Sequence, residues 1–290
     1  MSKKWLKVAL MVTAIATGTS IQVDAETVLY VPQDDRPVSL QYTVDTAKAA
    51  GMTVLTPPQN LISGKTYKGQ ADQIWNWVEQ NAGRADVMVL STDTLIYGGL
   101  VDSRKHNLPL STLENRLKRI EALKANHKNI RIYGFGTVMR SPRASGGGTE
   151  PSYYADYGPT IFQIAALQDK LDAGTLTQAE TQKLMSLQAS VPVEYLQDWF
   201  DRRQKNMKIN KELIDETRSG VFDYFALGHD DTSQLSQSAL EGRYLNQYSK
   251  GIPRTQYGSF PGADQLGLLL MARSRTDESA EKPTFSVIYP

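Results

Sequence analysis

Two short stretches of this chain end an apolar run in adjacent aspartates. In "YFALGHDDTSQLS" (residues 224–236) the run meets His229, Asp230 and Asp231, and in "VLYVPQDDRP" (28–37) it meets Asp34, Asp35 and Arg36. Carboxyl groups held close together push one pKa up, which leaves a proton donor beside an ionised partner. Such a pair serves glycosidic chemistry: one carboxyl group protonates the leaving oxygen and the other stabilises or activates the attacking group. The same oxygens can hold Mg²⁺ or Ca²⁺, or bind sugar hydroxyls without catalysis. Bland readings stand beside these. Asp231 can cap the helix that "TSQLSQSALEGRY" predicts, His229 can bond a neighbouring backbone group, and Arg36 can pair with its own aspartates instead of a ligand anion.

Further candidates lie between these stretches. "STDTLIYGGLVDSR" (91–104) carries Asp93, Tyr97 and the pair Gly98–Gly99, whose missing side chains let backbone approach closely. Asp102 and Arg104 read equally as a local ion pair or as part of a site. Arg140 precedes a glycine run and the tyrosine-rich "EPSYYADYG", a long irregular stretch of the kind that forms lids. The candidate catalytic residues are Asp230 and Asp231. The candidate substrate-binding residues are Asp34, Asp35, Arg36, Asp93, Tyr97, Arg140 and His229.

The elements that must position these residues alternate. Strands are expected at "TVLYVP", "MTVLTPP", "ADVMVLSTD", "NIRIYGFGTVMR", "FDYFALG" and "TFSVIYP". Between them run helical patterns, the clearest being "LSTLENRLKRIEALKANH", with Leu113, Leu117, Ile120 and Leu123 on one face and Ser111 or Thr112 as the cap. Near-continuous apolar strands joined by amphipathic helices predict an α/β fold with a parallel sheet. A TIM-barrel-like arrangement, incomplete at this length, is the first reading, and a doubly wound open parallel sheet is the alternative. In both, functional groups gather at the carboxyl ends of the strands, where all of the candidates fall. A helical insertion is expected at about 159–220, with Thr177 and Glu180 in a capping-box pattern.

Composition narrows the function classes. Residues 1–25 combine a basic start, a short apolar run and Val23 and Ala25 before the expected cleavage, the build of a secretory signal peptide. The protein is therefore expected to be secreted or extracytoplasmic, with no stable membrane insertion after cleavage. Without Lys3, Lys4, Lys7 and Asp24, the 32 basic and 31 acidic residues become 29 and 30, a balance that gives no footprint for nucleic acid. With no cysteine and 3 histidines, thiolate chemistry and imidazole-built zinc sites are disfavoured. Glycine-rich nucleotide loops and a nucleophile elbow are absent from the sequence. No cofactor is expected.

Taken together, "YVPQDDRPV", "STDTLIYGGLVDSR", "FALGHDDTSQLS" and "GADQLGLLLMAR" resemble a bacterial family of exported proteins, domain of unknown function 4127. The resemblance covers most of residues 27–290. Family members are longer, which implies that residues 26–290 are the N-terminal portion of a longer protein. No activity comes with the resemblance. A separate fold-level analogy is to retaining hexosaminidases that use the substrate's acetamido group; it makes Asp230 the orienting residue and Asp231 the general acid/base. The expected function is a secreted glycoside hydrolase acting on a cell-wall or environmental glycan, with a carbohydrate or other small polar substrate as partner. The alternatives are a metal-dependent hydrolase of phosphate or amide bonds, with Asp34, Asp93, Asp230 and His229 as ligands, and a non-catalytic glycan-binding module.

Overall fold

The computed structural model describes residues 25–144, 147–278, 284 and 286–288. The expected signal peptide, residues 1–24 of it, lies outside them. In chain order the elements are β1 (Thr27–Val31), α1 (Gln41–Ala49), β2 (Thr53–Leu55), α2 (Ala71–Asn81), β3 (Val87–Ser91), α3 (Thr92–Tyr97), α4 (Leu100–Lys105), α5 (Leu110–Asn126) and β4 (Arg131–Val138). Then follow α6 (Tyr154–Asp172), α7 (Gln178–Ser190), α8 (Val193–Arg218), β5 (Tyr224–His229), α9 (Gln237–Tyr248), β6 (Tyr257–Pro261) and α10 (Leu266–Glu278).

The strands form one six-stranded sheet in the order β2-β1-β3-β4-β5-β6, and every pairing in it is parallel. The barrel expectation is not met by this order. A barrel keeps β2 between β1 and β3, whereas here β1 pairs with both and β2 ends the sheet. Alternate residues of each strand feed two apolar layers. Val28, Tyr30, Val87 and Val89 pack with Ala47 of α1 and Leu270 of α10. Leu29, Val31, Met88 and Leu90 pack with α2, α5, α8 and α9 on the other face, through residues such as Trp75, Leu117, Leu213 and Leu245. Helices thus cover both faces, which is why the strands read as unbroken apolar runs.

Between β4 and β5 stand α6, α7 and the start of α8, with their own apolar cluster around Tyr154, Ile164, Leu184 and Trp199. Thr177 caps α7 through Glu180 N–H, and Glu180 returns the bond to the Thr177 backbone. On α5, Leu113, Leu117, Ile120 and Leu123 are buried as their spacing predicts, but Pro109 precedes the helix and no side chain caps it.

One strand expectation and one loop expectation need correction. The sixth strand is β6, not "TFSVIYP". Of that segment Thr284 and Ser286–Ile288 carry no regular structure, and Val287 and Ile288 are exposed; its other residues lie outside the described ones. Two further helices, α3 and α4, occupy what the motif pattern leaves as strand-end loop.

Candidate functional site

The glycine pair at 98–99 decides where the site's central cation lies. Gly98 adopts φ 112°, closes α3 and turns the chain into α4. A Cβ on Gly99 would sit 1.8 Å from the Ser63 hydroxyl oxygen, and one on Gly69 would sit 1.9 Å from the Gly98 carbonyl. Only bare backbone fits this junction. Asp102 fastens it by accepting from Gly69 N–H at 3.0 Å. One turn of helix then delivers Arg104 to the carboxyl ends of the strands.

There a cavity of about 280 Å³ is lined by Asp34, Arg36, Lys65, Arg104, Arg140, Asp230 and Asp264, with Leu100, Val101 and Thr149. Arg104 is 4% exposed and forms an ion pair with Asp230. Burial lowers the Arg104 pKa, and Asp230 opposes that shift. Arg36 donates to Asp34 and to Asp264, each at 2.7 Å. Arg140 donates through Nε to Glu150 at 2.7 Å. A second cavity of about 480 Å³ is more apolar, with Val38, Phe260, Leu266 and Leu269 among its lining residues. Both cavities are lined by Asp230 and Asp264, so these two carboxylates stand at their junction.

The other candidates lie near the rim but do not line this cavity. Asp231 accepts from Ser233 N–H at 2.9 Å and from Ser141 N–H at 3.3 Å, which ties the β4 and β5 loops together. It does not cap α9; Ser236 does. Asp93 is 2% exposed, accepts from the Thr137 hydroxyl at 2.8 Å and from Gln33 Nε2 at 3.3 Å, and is raised to about 6 chiefly by burial. Tyr97 is buried, stacks on His106 with ring centroids 5.0 Å apart, and its hydroxyl has no hydrogen-bond partner among the described residues. His229 contacts the Ser259 hydroxyl at 2.7 Å and lies against Gly242 of α9, where a Cβ would approach its ring to 2.6 Å. Burial lowers its pKa. Asp35 contacts the Tyr67 hydroxyl and lines a separate depression with Pro37 and Trp77.

Among the described residues, no group of three His, Asp or Glu side chains is arranged to hold a metal ion. Each ligand of the metal-hydrolase reading is engaged elsewhere: Asp34 by Arg36, Asp93 by Thr137, Asp230 by Arg104 and His229 by Ser259.

Residues 28–290 match the family described as protein of unknown function, DUF4127. The chain belongs to that family. No curated protein matches it. In this DUF4127 chain the four motifs converge: the first supplies Asp34 and Arg36, the second Arg104, the third Asp230 and the fourth Asp264. No helix among the described residues is long and apolar enough to cross a membrane.

Three residues of the cavity stand outside the list of sequence candidates. Arg104 reads equally as a partner of Asp102 or as part of a site, and the carboxylate it engages, Asp230, is 126 positions away. Asp264 reads as a helix-dipole residue just ahead of α10, yet Arg36 engages it 228 positions away. Lys65 sits in a polar loop with no local signal. The DUF4127 chain thus brings together Asp34, Arg36, Arg140 and Asp230 of the sequence candidates, and adds these three.

Proposed function

We propose that this DUF4127 chain is an exported protein that binds a glycan across the two cavities and cleaves a glycosidic bond by carboxylate acid/base chemistry. The observation that carries this reading is the position of Asp230 and Asp264 at the junction of a polar cavity and an apolar one. A glycan running from one cavity to the other presents the bond between two sugar units to both carboxylates, which is what the chemistry requires. Phe260 offers an aromatic ring to the apolar face of a sugar. We assign the working pair to Asp230 and Asp264 instead of Asp230 and Asp231, because Asp264 lines both cavities and Asp231 lines neither.

The test uses the complete protein and a panel of neutral, acidic and N-acetylated oligosaccharides, with products read by chromatography and mass spectrometry. The reading expects new reducing ends, and a loss of about 10²-fold or more in kcat for Asp230→Asn and for Asp264→Asn. A glycan that is bound but left intact through long incubation supports a binding module instead. Export is tested separately by sequencing the mature N-terminus, with cleavage after Ala25 as the expected result.

A further inference from the structure

The polar cavity is lined by four cationic side chains, Arg36, Lys65, Arg104 and Arg140, and three carboxylates, Asp34, Asp230 and Asp264. Asp34 and Asp264 both engage Arg36. Asp230 engages Arg104 through one terminal nitrogen only. Arg104 Nε has no hydrogen-bond partner among the described residues. Lys65 lines the same cavity and forms no ion pair among the described residues. Arg140 also lines it, held by Glu150, so three guanidinium groups, counting Arg36, and an ammonium group face one space.

A purely structural ion pair explains part of this. Arg104–Asp230 joins α4 to the end of β5, and such ties are common inside α/β folds. That role does not call for a lysine without an ion pair lining the same cavity. Planar guanidinium donors and a mobile ammonium are the groups that hold carboxylate and phosphate oxygens.

We infer that the cavity takes an anionic group of the ligand, a carboxylate or a phosphate, held by Arg104 and Lys65 with Arg140 beside them. This deepens the glycan reading and rests on its placement of the ligand: the sugar unit that enters the polar cavity is an acidic one. A uronic acid and a sugar phosphate share that chemistry.

The experiment is calorimetric titration of the complete protein with glucuronate, inorganic phosphate and glucose. At least one of the two anions is expected to bind about tenfold or more tightly than glucose, and whichever binds better identifies the source of the charge. Affinity is expected to fall as salt rises from about 50 to 300 mM. Lys65→Gln, a change at an exposed position that spares the fold, is expected to weaken the better anion about threefold or more, and Arg104→Gln about tenfold or more. Equal binding of glucose and both anions, no binding of either anion, or an unchanged affinity in Lys65→Gln and Arg104→Gln overturns the inference. Cleavage of neutral glycans without anion binding overturns it while leaving the hydrolase reading standing. Anion binding with every glycan left intact does the reverse.

Discussion

Arg104 and Asp230 form an ion pair across 126 positions of sequence, joining α4 to the carboxyl end of β5 inside the candidate cavity. The arginine side chain is 5% exposed and the aspartate 19%. Removing one partner of such a pair leaves an uncompensated charge in a poorly solvated place, at a cost of about 3–5 kcal/mol. Asp230→Asn is therefore expected to lose about 3 kcal/mol in a urea melt. Inorganic phosphate is expected to restore more of the lost Tm in that variant than it adds to the wild type, because the freed guanidinium gains a partner. A melt within about 0.5 kcal/mol of wild type shows the pair to be structurally idle.

Asp93 gives the protein a pH dependence of defined sign. Burial holds its carboxyl group at about 6, above the ordinary value of 3.8. Its contribution to stability is therefore fully present below the unfolded value and is lost as pH rises through about 6. Asp93→Asn keeps an oxygen to accept from Thr137 and Gln33 but does not titrate. Between those two pH values the wild type is expected to lose about 2–3 kcal/mol relative to this variant. Parallel stability curves for the two proteins would remove the shift.

His106 runs the other way. Burial lowers its pKa to about 4, with Asn206 opposing that shift by a contact of 2.8 Å to Nε2. The native ring stays neutral where the unfolded ring takes a proton. Its contribution is present above about 6.5 and is lost as pH falls through about 4. Ring-proton NMR is expected to give a midpoint near 4 for His106. A midpoint at 6.5 would mean that the stack on Tyr97 opens to water.

The junction at Gly99 is tested by adding a methyl group. A Cβ there meets the Ser63 hydroxyl oxygen at 1.8 Å, and overpacking of this kind costs about 1–3 kcal/mol. Gly99→Ala is expected to lower stability by that amount and to weaken anion binding, because α4 carries Arg104. Ser63→Gly in the same chain removes the clash and is expected to recover most of both. Failure of the second change to compensate would place the strain elsewhere.

Much of this fold was legible because its sheet is parallel and covered on both faces. β1, β3, β4 and β5 announce themselves as apolar runs, and α5 as a periodic one, since burial leaves those patterns directly in the sequence. β6 was not legible. Tyr257–Pro261 is an edge strand, half-buried, with glycine, serine and proline in five positions. Thr284 and Ser286–Ile288 show the converse: their types suit a strand, but strand propensity is expressed only where a neighbour is there to pack against. The strand order was equally out of reach, because the same alternation of strands and helices serves a barrel and an open sheet.

For the site, the chemistry-bearing motifs were visible and their pairings were not. Local adjacency suggested Asp230 with Asp231 and Asp102 with Arg104. The fold pairs Asp230 with Arg104 and turns Asp231 and Asp102 to backbone N–H groups. Adjacent side chains at a strand exit diverge, so Asp230 meets Arg104 of α4 while Asp231 meets Ser141 after β4 and Ser233 of its own loop.

The bonds of Asp231 to Ser141 N–H and Ser233 N–H bear on motion as well as on position. One carboxylate latches the loop that follows Arg140 to the loop that follows Asp230. Neither loop can swing away from the cavity without releasing the other. Amide hydrogen exchange at Ser141 and Ser233 is thus expected to report a single shared opening event, and Asp231→Ala to split it into two faster ones.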